Sequence, residues 1–223
     1  MTSTEPANPW LSWSYVQTNW GDISVALSQH VSLTIEAVLI AFVLALPLAV
    51  LAHSRPRLAG PVLGLAGVLY TVPSLALFAI LAPFTGIGRT TVLIGLVSYA
   101  MLVLIRNILV GLQGVDPEIR DAAQGLGYGR VRMLLTVELP NALPSIVVGL
   151  RLATVTTVAL VTIGVIVGFG GLGQLMFRGF NSNYRAEVMT STLLCLAIAL
   201  VADLLLFMAG RLATPWTRAG GRP

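Results

Sequence analysis

Four charged residues fall inside long apolar runs: Glu36, Arg106, Arg151 and Asp203. A charge held at bilayer depth costs ~2.5–3.5 kcal/mol or more, so such residues mark a pathway, a relay or an ion pair. Arg106, Arg151 and Asp203 each lie about seven residues from the same side of their runs, a common depth at ~1.5 Å per helical residue. Mixed signs at one depth read as a structural charge network, with a role in coupling the spans to a neighbouring loop as the alternative. Glu36 stands alone near the opposite end of its run. Either it reaches the interface, or it faces a pathway where a carboxylate attracts a cation.

Other chemistries lack their parts. His30 and His53 sit at the ends of apolar runs with no further ligand at metal spacing, so no metal site is expected. Serines and threonines are frequent in the runs, but no histidine accompanies them there, and a serine nucleophile without a base is weak. Gly168, Gly170 and Gly173 spell G-x-G-x-x-G, yet that fingerprint needs a strand before it and a helix after. An apolar run precedes it here, so it reads as a flexible turn where helices approach closely. The single cysteine, Cys195, lies in Leu193-Leu194-Cys195-Leu196, which excludes a disulfide framework and suits a small buried side chain. All 13 basic residues are arginine. Without lysine the chain cannot supply a P-loop or a pyridoxal Schiff base. A polytopic membrane enzyme, the alternative of a different class, would need a convergent catalytic set within the runs, and none is found.

These residues must be positioned by membrane-spanning helices. Of the 223 residues, 56% are hydrophobic and 10% charged, where soluble domains carry about 25% charge. The mean hydropathy is +0.88. Five apolar stretches, at about 30–52, 60–84, 90–112, 144–168 and 188–210, each approach the ~20 residues that cross a bilayer. Pro47 and Pro73 fall inside spans, where they should kink a helix. Arginine sets the orientation. With the N-terminus outside, the inner segments carry Arg55, Arg57, Arg120, Arg130, Arg132, Arg211, Arg218 and Arg222; the outer ones carry Arg89, Arg178 and Arg185. The excess predicts N-out, C-in, and it assigns the net charge of +4 to topology rather than to nucleic acid. The resulting organisation is an extracytoplasmic or interfacial segment 1–29 containing Trp10, Trp13 and Trp20, a transmembrane domain 30–210, and a cytoplasmic tail 211–223. No arginine precedes an apolar core in 1–29, so a secretory signal peptide is not expected there.

The loop 114–140 has its own design. Asp116 suits an N-cap and Pro117 a first helical position. A short helix should pass through Ala122 and Ala123 to a glycine cluster at 125, 127 and 129, and a second should run from near Arg130 and stop at Pro140. Asp121-Ala122-Ala123, Gly127, Val137 and Leu139-Pro140 keep every spacing of the EAA loop of ABC-importer permeases, with Asp for Glu and Val for Ile. The chain is identified as a member of that family by resemblance. Tyr70 to Phe78 (YTVPSLALF), Leu33 to Ala41 (LTIEAVLIA) and Gly168 to Gly173 (GFGGLG) resemble the permeases for glycine betaine, carnitine, choline and proline.

The resemblance implies an all-α integral membrane protein of about five transmembrane helices, with the type I importer fold and a cytoplasmic coupling loop. It implies that Asp121, Ala122, Ala123, Gly127, Val137, Leu139 and Pro140 dock an ATPase, and that Glu36, Tyr70, Pro73 and Ser74 line a translocation path. The expected partners are a cytoplasmic ABC ATPase dimer holding ATP and Mg, a second permease subunit, an extracytoplasmic solute-binding protein and the lipid bilayer. No cofactor is expected in this chain. Methionine or another small amino acid is the alternative cargo.

Overall fold

The computed structural model describes residues 8–216. Residues 1–7 and 217–223 of the expected end segments, with Arg218 and Arg222, lie outside the described residues. Among the described residues the regular elements are all helical: α1 (Trp13–Thr18), α2 (Trp20–Ser54), α3 (Pro56–Thr71), α4 (Ser74–Thr85), α5 (Arg89–Gln113), α6 (Pro117–Gly125), α7 (Arg130–Met133), α8 (Leu139–Ile163), α9 (Leu172–Asn181) and α10 (Arg185–Ala213). A π-helical segment, Leu134–Glu138, joins α7 to α8, and a 3-10 turn, Gly164–Val167, follows α8.

Four helical runs are long and apolar enough to cross a membrane: Trp20–Ser54, Arg89–Gln113, Arg130–Val167 and Arg185–Ala213. The pair α3 and α4 makes a fifth if it is one span, bent by 97°. Each expected stretch thus has a helical counterpart, with three differences. The first span, α2, starts at Trp20 rather than 30, so His30 is an interior residue, 0% exposed, with Nε2 3.0 Å from the Val158 carbonyl. Pro73 does not kink a continuous helix. It separates two, because Val72 is driven from helical backbone by the ring that follows it, and Pro73 becomes the N-cap of α4.

Pro140, thirdly, does not stop the helix. It lies in the first turn of α8, and the helical run that begins at Arg130 continues to Val167. A proline ring normally strikes the carbonyl four residues back. Here the preceding turn is the wider π segment, in which the Leu139 amide donates to the Leu134 carbonyl, and the Asn141 side chain donates to the Val137 carbonyl at 2.7 Å. The fourth span therefore begins inside the loop, not at 144.

The helices divide between two compact units. One holds the described residues of Met1–Val38, with Val72–Val97 and Thr154–Val201; the other holds Leu39–Thr71, Ser98–Ala153 and the described residues of Ala202–Pro223. In the first, Tyr15, Ile23, Ala26, Leu172, Leu175 and Ala186 form a buried cluster against which Cys195 packs; the cysteine is half-buried, where its apolar run suggests a buried side chain. The helices differ in burial despite similar hydropathy. Along α5, Val92, Leu96, Ala100, Leu104, Ile108 and Leu112 are buried at four-residue spacing, a stripe that winds slowly around the helix because four residues slightly exceed one turn. The most apolar window of α10 is only 6% buried against 61% for α5, which leaves α10 to lipid or to a partner.

Candidate functional site

The loop folds as its local signals require. The Asp116 carboxylate accepts from the Glu118 amide at 2.9 Å and Pro117 opens α6. The helix ends in a turn where the Gly127 amide donates to the Gln124 carbonyl at 2.9 Å and the Tyr128 amide to that of Ala123 at 3.1 Å. Gly127 has φ +81°, a left-handed conformation in which an L side chain is disfavoured. Asp121 and Ala122 are exposed, Ala123 is buried, and Val137, Leu139 and Pro140 are half-buried in the start of the fourth span. Ile119 (44%), Leu126 (76%) and Val131 (71%) stand exposed around the same turn. An apolar face on a polar loop is the kind of surface that a protein partner covers.

One cluster beneath this turn was not legible as a site in the sequence. Glu138, 8% exposed, ends the π segment. Its Oε1 accepts from Arg120 Nε at 3.0 Å and lies 3.2 Å from His53 Nε2. An ionised carboxylate only accepts, so the contact is a hydrogen bond in the His53 tautomer that carries its proton on Nε2. Arg120 Nη2 also donates to the Leu112 carbonyl, at 2.5 Å, in the last turn of α5. The single signal available beforehand was a glutamate embedded in an apolar run directly before Leu139-Pro140.

Among the described residues the span charges fall into two pairs, with Arg106 outside both. Arg151 and Asp203 meet in a bidentate ion pair, Nε to Oδ1 at 2.7 Å and Nη2 to Oδ2 at 2.8 Å, with the guanidinium 5.0 Å from the Phe207 ring centre. Arg106 does not join them: it is exposed, so the expected three-member network is a pair. Glu36 is not alone. Arg89, the first residue of α5, donates from Nη2 to its Oε1, with both side chains near 40% exposed. Equal depth was a sound guide for Arg151 and Asp203. It does not reach Arg89, which lies just outside the apolar stretch 90–112 in the sequence.

Of the other expected path residues, Pro73 and Ser74 sit at the α3–α4 break in the first unit, and Tyr70 sits in the second with its ring edge-on to Tyr99, centroids 5.6 Å apart. The first unit also holds an open cleft of about 530 Å³ lined by Asp22, Gln29, Gln174, Phe177 and Arg178 among others. Arg178 Nε donates to Glu187 at 2.6 Å and Nη1 to Asp22 at 3.1 Å; the Glu187 hydrogen bond holds the guanidinium above its ordinary range. Burial, with the Glu187 charge nearby, pushes the Tyr15 phenol up to about 12. Gly173 shows why glycine is used in the first turn of α9: a Cβ there would lie 2.2 Å from the Thr162 carbonyl oxygen. The expected close approach is present.

Comparison with known proteins gives this geometry a context. The fold is that of a chain in the inward-facing methionine ABC transporter MetNI, with a TM-score of 0.77, 24% identity, and 91% of this chain and 97% of that one covered. The carnitine transport permease protein OpuCB of Listeria monocytogenes is 33% identical over 199 residues, 89% of this chain and 90% of its own. The osmoprotectant import permease protein OsmW of Salmonella typhimurium is 35% identical over 207 residues, covering 90% and 96%. The choline transport system permease protein OpuBB of Bacillus subtilis is 30% identical, covering 90% and 93%. The model of the family described as the binding-protein-dependent transport system inner membrane component matches residues 33–219. The chain belongs to that family, the multi-pass membrane permease subunits of ABC importers.

Proposed function

We propose that this chain is the membrane-spanning subunit of an ATP-driven importer of compatible solutes, the quaternary amines glycine betaine, carnitine and choline, with proline as a further member. The observation that carries the reading is that relatives named for carnitine, choline and osmoprotectant transport align over about nine-tenths of both chains. The likeness to the methionine transporter concerns the fold, and methionine stays the alternative cargo. The turn around Gly127, with its exposed apolar rim, is the dock for a cytoplasmic ATPase. ATP and Mg are held by that partner, and this chain performs no chemistry of its own. Two copies, or one copy and a related permease, enclose the path, because five helices alone leave little room for a solute. An extracytoplasmic binding protein delivers the cargo to the side on which the N-terminus lies.

The test is uptake in cells lacking their own betaine carriers, with the chain expressed beside its ATPase and binding protein. Radiolabelled glycine betaine should accumulate, and unlabelled carnitine or choline should compete. Accumulation of methionine without betaine would assign the alternative cargo.

A further inference from the structure

Arg120 is the side chain through which α6 grips the rest of its unit. The only buried residue of α6 is Ala123, so apolar packing holds the helix weakly. Arg120 supplies the directional hold: its guanidinium bonds Glu138 with Nε and the last turn of α5, at the Leu112 carbonyl, with Nη2. Glu138 in turn joins His53, in the last turn of α2, at 3.2 Å. One carboxylate, 8% exposed, therefore ties α6 to the first span and to the base of the fourth. Glu138 also ends the π segment, and Pro140 follows it. A π turn beside a proline is where a helix changes direction at least cost.

We propose that Arg120, Glu138 and His53 transmit displacement of α6 to α2 and to α8, with the π segment as the hinge. The proposal rests on α6 being the ATPase dock. Arg120 and Glu138 are positioning residues that act through the helices they join. A partly buried ion pair, its arginine side chain 28% exposed and its carboxylate side chain 11%, suits this because it holds discrete geometries: parting the charges is costly, so the joined elements move together. An arginine fork bonds two partners at once, which a lysine ammonium at the same position matches poorly.

The test uses the assembled complex in proteoliposomes with its ATPase and binding protein, and glycine betaine as solute. Four variants are compared: Arg120→Gln, Glu138→Gln, the double Arg120→Gln/Glu138→Gln, and Arg120→Lys. A Gln124→Cys reporter on a Cys195→Ala background, cross-linked to the ATPase by a bifunctional maleimide, reads docking separately. The single variants leave a charge unpaired and should lower membrane abundance; the double variant should recover it. In the double variant and in Arg120→Lys, cross-linking and basal hydrolysis should persist, while betaine-stimulated hydrolysis and uptake per complex fall about tenfold, the scale of one lost charge-assisted hydrogen bond. Full stimulation in the double variant at normal abundance would reduce the cluster to charge neutralisation and overturn the proposal. Loss of the cross-link in the double variant would also overturn it, since Arg120 would then seat the dock rather than transmit its motion. No cross-link in the unmodified cluster would refute the docking reading itself.

Discussion

Gly127→Ala isolates the proposed docking turn from every other property of the loop. A Cβ built on Gly127 has nothing within 4 Å, so the substitution creates no clash. Its whole cost is conformational, because φ +81° is a left-handed backbone that costs an L residue ~1–2 kcal/mol. If the ATPase binds only the turn as formed, that cost lowers the binding-competent fraction, and the apparent affinity falls by roughly 5–30-fold. Gly127→Val should be worse, since a branched Cβ tolerates this region less well. Gly125→Ala is the control: it too meets nothing within 4 Å and it ends α6, where alanine favours helix by ~0.5–1 kcal/mol. The assay titrates solubilised permease with its ATPase and reads retention of the pair, alongside solute-stimulated hydrolysis in vesicles. Gly127→Ala should lose affinity and Gly125→Ala should keep or gain it. Equal affinity for both, with each variant at normal membrane abundance, would refute the claim that this turn forms the dock.

Three further outcomes are expected. Arg151→Leu and Asp203→Leu should each reduce folded protein in the membrane by leaving a span charge unpaired; the double variant should recover most of it, as fluorescence-detected gel filtration would show. Glu36→Gln strands Arg89 and should weaken uptake of betaine-like solutes, while the exchanged pair Glu36→Arg/Arg89→Glu restores abundance; recovery of uptake along with abundance would make the pair structural and remove Glu36 from the path. The Tyr15 phenol, raised to about 12 from an ordinary 10, holds its proton more tightly folded than unfolded. Its contribution to stability is therefore complete below pH 10 and lost as pH rises through about 12, so the 295 nm titration should show a late tyrosinate step that is absent in Tyr15→Phe.

What the sequence made legible was local or axial. The cap at Asp116, the turn at Gly127 and the match from Asp121 to Pro140 are short-range patterns, and the structure builds the same first helix and turn, while the second helix runs on past Pro140. Depth within a span can be counted along the chain, which brought Arg151 to Asp203. Direction around a helix axis is harder to count across separate helices. Arg106 shares that depth and yet faces outward while Ile105 and Ile108 on either side are buried. Arg89 lies 53 residues from Glu36 and belongs to the first turn of a helix whose start sequence fixes only loosely. Pro140 misled because proline is a dependable stop unless the preceding turn widens, and that widening is a property of the backbone. The Arg120–Glu138–His53 cluster was hidden for a related reason: its members sit in a loop helix, a π turn and a span end, and only the fold brings them together.

Reconstituted transport tests the central claim most directly. Proteoliposomes containing this chain, its ATPase and its binding protein should accumulate radiolabelled glycine betaine against a gradient when ATP and Mg are supplied on the side bearing loop 114–140. Uptake should vanish when the ATPase is omitted, and it should be competed by carnitine or choline but not by methionine. Accumulation that proceeds without the ATPase, or that takes methionine and ignores betaine, would contradict the account.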